Sequence, residues 1–200
     1  MHNLEPFYNW RDYYIAEEDP KSPFFGRAYS EFTYSDKIYN HYIHPQWDDI
    51  NSPTLYIKLI YADYLHGFAI IEFIGEWNDA INNDIMTLKR DIIDHLSLEG
   101  IHKYILIGEN ILNMHTSDDC YYEEWYEDTL DNDGWVCLIN FRDHILKEMD
   151  TLYLNNYLHY PEELQEFHWR KYKPLQLFNS IENILFSKEV IDLQEYILIN

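Results

Sequence analysis

The sequence predicts an α/β (or α+β) fold: a single mixed sheet of about four to six strands with helices packed on it. Three observations carry that expectation. Two apolar runs close on nearly the same phrase, Ile74-Gly75-Glu76-Trp77-Asn78 and, 33 residues later, Ile107-Gly108-Glu109-Asn110. Between them Ile81, Ile85, Leu88, Ile92 and Leu96 recur at spacings of four, three, four and four, one stripe of an amphipathic helix. Before them, Thr54 to Tyr61 and Phe68 to Ile74 read as strands joined by a turn too short for anything but an antiparallel pair.

Taken in order, residues 1–53 form an aromatic-rich N-terminal extension. Ala28 to Tyr34 and Ile38 to Ile43 carry tyrosines and phenylalanines suited to a hairpin. The cluster around Pro45, Asp48, Asp49 and Pro53 reads as a loop. Residues 54–150 hold the core, with the order β-β-α-β-α-β-α. Asn78 is placed to cap the first helix, and Glu99-Gly100 to end it. Lys103 to Ile107 is the next strand, and a strand–helix–strand passage predicts a parallel pair. Tyr121 to Leu130 reads as a short acidic helix, Trp135 to Phe141 as a strand, and Arg142 to Met149 as the start of another helix. Residues 151–200 form a helical C-terminal extension, with a helix from Leu175 to Ser187 and a last apolar segment at Tyr196 to Ile199. Without a repeat or a low-complexity linker, the expectation is one domain over 1–200.

This order resembles that of STAS and SpoIIAA-like domains across roughly residues 54–149. The serine-bearing loop of the phosphorylated STAS proteins has no counterpart here. The resemblance implies a topology, and topology does not give a function.

Composition narrows the classes. Thirty-six acids against 14 Lys and Arg give a net charge of −22, a field that repels phosphate backbones and anionic lipid and attracts basic proteins or metal ions. Direct nucleic-acid binding is therefore not expected. Neither is a membrane span, because no apolar run reaches the necessary length. An aromatic fraction of 18% supplies a substantial core. The N-terminus lacks a secretory signal, and Cys120 and Cys137 form no CxxC pair, so a reduced cytoplasmic protein is expected. Walker, GxGxxG and GxSxG motifs are absent.

The candidate site lies where the two Gly-Glu phrases would meet at one sheet end. There Glu76 and Glu109, with His144 nearby, are the candidate catalytic groups, able to act as acid and base. Asn78, Asp79, Asn110 and Arg142 are the candidate ligand-binding residues. A divalent cation is conceivable on Glu76, Glu109, His115, Asp118 and Asp119, all oxygen or imidazole donors, although no known metal spacing is present. No cofactor is firmly implied. Set against this is the plain alternative that these residues cap helices and face water.

From Asp118 through Asp133 eight acids occur without a cation, interleaved with Tyr121, Tyr122, Trp125 and Tyr126. Such a face suits a basic protein partner. The one basic cluster, residues 168–173, suits the protein's own acidic surface or a sister subunit's, a route to a homo-oligomer. The leading reading is therefore an acidic binding or regulatory module acting through protein–protein interaction. The alternatives are a metal-assisted or acid/base hydrolase or lyase, and a nucleic-acid mimic that inhibits a DNA-binding protein.

Overall fold

A mixed five-stranded sheet with helices on it forms the body of the protein. The computed structural model describes residues 4–30, 32–34, 36–38 and 41–199, with side chains up to residue 187. Strands β1 (Lys37–Ile38) and β2 (His41–Tyr42) make a separate two-residue ladder. This is far less hairpin than the tyrosines suggested: the described part of 28–34 forms no strand, and residues 31, 35, 39 and 40 lie outside the described residues.

The main sheet has the order β3 (Asp48–Asp49), β4 (Leu55–Asp63), β5 (Phe68–Asn78), β6 (Lys103–His115), β7 (Trp135–Ile139). β4 and β5 are antiparallel, whereas β5, β6 and β7 are parallel, as the short turn and the helical crossover require. The residues 48–49 read as loop are the short edge strand.

The expectation that β5 and β6 stop at their glycines is corrected. Both run on, to Asn78 and His115. Gly75 sits inside β5 at φ +116°, with Glu76 N–H turning to donate to Thr54 O at 2.8 Å. The register slips by one residue on β6 at this point, a bulge. A Cβ at Gly75 would stand 2.1 Å from Thr54 O and 2.5 Å from Ile38 Cδ1. Gly75→Ala therefore meets both backbone strain and a backbone clash. It is expected to cost about 3 kcal/mol or more, read as a fall in the midpoint of urea unfolding.

The crossover is also not one helix. α1 (Asp79–Asn82) ends at Asn83, whose φ of 53° is left-handed; α2 (Asp84–Thr87) then runs into a π-helical segment (Leu88–Ile93) and α3 (Asp94–Leu98). The break explains the one failure in the stripe. Ile85, Leu88, Ile92 and Leu96 are buried, but Ile81 precedes the break and is 82% exposed.

α4 (Cys120–Leu130), α5 (Asp143–Thr151) and the crossover pack on one sheet face, against Ile71, Phe73, Tyr104, Leu106 and Leu138. The other face, Phe68, Ile70, Ile105, Ile107 and Trp135, is covered by both ends of the chain: Trp10 from the N-terminal segment, and Leu164, Trp169 and the start of α6 (Pro174–Ile199) from the C-terminal one. All eleven residues of β5 are buried as a result. The segment 196–199, expected as a separate apolar piece, is the last turn of α6.

Candidate functional site

The bulge at Gly75 leads into a buried corner built from Glu76, Asn78, Asp79 and Asp84. Asn78 caps α1 as expected, its Oδ1 accepting from Ile81 N–H at 3.0 Å, while its Nδ2 donates to Glu76 Oε1 at 3.2 Å. Its own backbone N–H donates to Asp84 Oδ2 at 2.7 Å. Asp79 accepts three hydrogen bonds: from Trp77 Nε1 (2.9 Å), Ile85 N–H (2.8 Å) and the Tyr122 hydroxyl (2.7 Å). Among the described residues no Lys or Arg pairs with Asp79 or Asp84. Burial pushes the Asp79 carboxyl up to about 6, the bonds from Tyr122, Ile85 and Trp77 opposing it. Burial likewise raises Asp84, against the pull of the Asn78 N–H and the Ser52 hydroxyl. These carboxylates hold a strand-to-helix corner shut.

Glu109 lies elsewhere. Glu76 registers with Asn113, four residues farther along β6 than Glu109, a separation of roughly 13 Å at strand rise. The two carboxylates proposed as a catalytic pair are therefore not brought together. The two Gly-Glu phrases fail to align because Glu72 already registers with Ile107, which places Gly108 short of Gly75, and the extra residues of β6 at its bulges widen the offset. Instead Glu109 is gripped by Arg170, whose Nη1 donates at 2.9 Å and whose Nη2 donates to the other oxygen. Trp169 Nε1 approaches the same carboxylate at 3.4 Å. The part of the basic cluster that contacts acid thus docks on the protein's own surface.

Beneath Arg170, at 3.7 Å, lies Glu72, 1% exposed, which accepts from Phe7 N–H at 2.8 Å. Burial pushes its carboxyl up to about 7; the Phe7 N–H pulls it down, Glu109 raises it, and Arg170 lowers it. Glu109 and Arg170 also border an open cleft of about 330 Å³ with Asn140, Phe167, His168 and Lys171. Glu72 itself is buried and does not line that cleft.

The remaining candidates scatter. His144 Nε2 sits 3.0 Å from Leu112 O on an exposed helix start, and Leu112 precedes the Asn113 that registers with Glu76. Arg142 pins neither Glu76 nor Glu109; with Asn110 it borders a small hole of about 60 Å³ among Leu4, Ile38 and Ile74. Of the five proposed metal ligands only Glu76 and His115 meet, Oε1 to Nε2 at 3.6 Å. Glu109 is held by Arg170, Asp118 caps Cys120 N–H at 3.2 Å, and Asp119 accepts from the Tyr157 hydroxyl at 3.0 Å.

One acidic triad does gather closely: Asp94, Glu124 and Asp128 place ligand atoms within 4.8 Å of one another. Its centre is taken by the ammonium of Lys89, 1% exposed, at 2.7 Å from Asp128, 3.5 Å from Glu124 and hydrogen-bonded to Asp94. Arg90 adds a forked pair to Glu124.

The outer side of α4 is different. Tyr122, Trp125 and Thr129 turn into the core, and Tyr121 and Tyr126 are half-buried, so the expected acidic–aromatic face is mainly acidic. Glu123, Glu127, Asp131 and Asp133 are exposed, and among the described residues none forms an ion pair.

Comparison with known proteins adds a faint likeness. No protein family model and no curated protein matches this chain. Among solved structures, a candidate anti-sigma factor antagonist from Thermotoga maritima superposes over 55% of this chain and 93% of its own, at 14% identity and a TM-score of 0.39. The phosphorylated form of the Bacillus cell-fate determinant SpoIIAA superposes over 54% and 92%, at 12% identity and a TM-score of 0.37. Likenesses this slight carry no argument about what the chain does.

Sequence reasoning missed Glu72, Asp84 and Lys89. Glu72 was visible as the one acid inside the run Phe68-Ala69-Ile70-Ile71-Glu72-Phe73-Ile74, on a strand apolar on both faces. Lys89 had a weaker signal, a cation in the helix stripe's flank opposite an acidic helix. Asp84 had none.

Proposed function

We propose that this chain is a binding or regulatory module that works through protein–protein contact, with the outer side of α4 and the 131–133 turn as its binding face. The observation that carries the reading is the row Glu123, Glu127, Asp131 and Asp133: four exposed acids without an ion pair among the described residues. Elsewhere the acids of this −22 chain are largely drawn into structural bonds, as at Glu72, Asp79, Glu109 and Glu124. An unneutralised strip on a rigid helix steers a basic protein toward one side of the molecule. The separation of Glu76 from Glu109 removes the arrangement on which the acid/base enzyme reading rested. The described residues also contain no helix long and apolar enough to cross a membrane.

The test compares partner capture from cells of the source by three baits. One is wild type. The second carries Glu123→Gln, Glu127→Gln, Asp131→Asn and Asp133→Asn. The third neutralises four exposed acids elsewhere, Asp12, Glu18, Glu162 and Glu163. A protein retained by the first and third baits and lost from the second is the expected result. Equal retention by all three would move the binding face away from α4.

A further inference from the structure

The same acidic face continues into an end of the sheet that is apolar, and this says more about the partner. β5, β6 and β7 start level: Phe68 registers with Lys103, and Lys103 with Trp135. The three connections entering them therefore lie side by side, across two strand spacings or roughly 10 Å. Backbone bonds stitch them together. Gly67 O accepts from His102 N–H at 2.9 Å and Lys103 N–H at 3.0 Å, His102 O accepts from Trp135 N–H at 3.1 Å, and Thr129 O accepts from Gly134 N–H at 2.8 Å.

Each connection presents a leucine to solvent: Leu65 is 88% exposed, Leu98 88% and Leu130 54%. Single exposed leucines are ordinary, but three on adjacent, mutually bonded connections at one sheet end are not explained by packing. The charges around them are unbalanced. Lys21 is matched by Glu99 at 3.0 Å, Lys103 by Glu182 at 2.7 Å, and His66 by Asp63 at 2.9 Å. Burial lowers His102, leaving it neutral near pH 7. Asp131 and Asp133 stay unpaired, directly after Leu130.

We infer that this end of the sheet, with Leu65, Leu98 and Leu130 beside Asp131 and Asp133, docks an amphipathic segment of another protein that carries apolar side chains along one face and Lys or Arg along its border. The inference rests on the reading of α4 as a binding face and specifies its occupant. Leucines supply apolar contact that excludes water, and the flanking acids select against acidic segments.

The test titrates two peptides of equal length and charge into the isotope-labelled protein and follows backbone amide shifts. One peptide is an amphipathic Leu/Lys helix former, the other a Ser/Lys sequence. The expected result is that the Leu/Lys peptide shifts amides at 63–67, 97–101 and 129–134 and binds on the order of tenfold more tightly than the Ser/Lys peptide. That advantage should vanish in Leu65→Ser, Leu98→Gln, Leu130→Gln, a variant whose changes are all exposed and whose melting temperature is checked first. If both peptides bind the outer side of α4 equally and the leucine variant is indifferent, the leucine end is not a docking surface while the acidic face stands. If the Leu/Lys peptide binds tightly elsewhere on the molecule, the inference is overturned. If neither peptide touches α4 or the leucine end, both this inference and the α4 reading fall.

Discussion

Lys89→Met is expected to destabilise the protein by about 1–2 kcal/mol at neutral pH and low salt, because three partly exposed carboxylates lose their shared charge-assisted donor. The ammonium of Lys89 is the shared counter-charge for Asp94, Glu124 and Asp128, and its stem is packed in the core of the π-helical segment. Methionine keeps the stem's volume and removes the charge. Three carboxylates whose oxygens lie within 4.8 Å are then left facing one another, with Arg90 reaching only Glu124 and Asp94. The loss should shrink with added salt. It should also be partly recovered in Lys89→Met, Asp128→Asn, so that a double-mutant cycle from urea unfolding shows the two changes as non-additive. Simple additivity would mean that the Lys89 charge is not coupled to Asp128.

Glu72 should make the protein more stable in mild acid than at alkaline pH. Its carboxyl is held near 7 in the folded chain against the ordinary value of 4.5, so the folded state binds the proton more tightly. The stabilisation is fully present below the ordinary value and is lost as pH rises through about 7. The difference corresponds to about 2–3 kcal/mol between pH 4.5 and pH 8. Asp79, raised to about 6, acts in the same direction with smaller reach. In Glu72→Gln the amide oxygen still accepts from Phe7 N–H, and no buried charge forms. The variant should be the more stable of the two at pH 8, with a visibly flatter profile between pH 5 and pH 8. An unchanged slope would assign the dependence to Asp79, to the other carboxyls that burial raises, Asp48 and Asp84, and to the general repulsion of a −22 chain.

The elements that bury a continuous apolar surface were legible in the sequence, and those set by local backbone conformation were not. The antiparallel β4–β5 pair and the parallel β5–β6 pair followed from turn length and from the stripe of Ile85, Leu88, Ile92 and Leu96. The glycines misled because glycine serves two purposes. At Gly75 it permits a left-handed bulge inside a strand, and at Gly108 it leaves room for Phe141, whose ring would lie 2.4 Å from an added Cβ. Neither ends the strand. Trp77 was the corrective sign, since a bulky apolar residue two beyond a supposed terminator belongs inside. The catalytic pair failed for a related reason. Equal spacing from a glycine in sequence does not give equal position in a parallel pair when the strands start out of step with the repeat, as Glu72 opposite Ile107 shows, and bulges on one strand widen the offset. The Asn78 cap, by contrast, depends on one side chain and the next three residues, and it formed as expected.

The coverage of the second sheet face has a consequence for the order in which the chain is made. Phe68, Ile70, Ile105 and Ile107 are exposed on the ribosome before their cover exists, because Trp169, Leu177 and Phe178 emerge only about sixty to seventy residues after Ile107. Trp10 is made before them, but it rests edge-on against Trp169, 5.5 Å between ring centres, and its indole N–H bonds to Tyr172 O. This early segment thus has to wait for a later one before it can settle. Synthesis must pass through a stage in which one face of the sheet is bare, a surface open to wrong contacts until the late segment arrives.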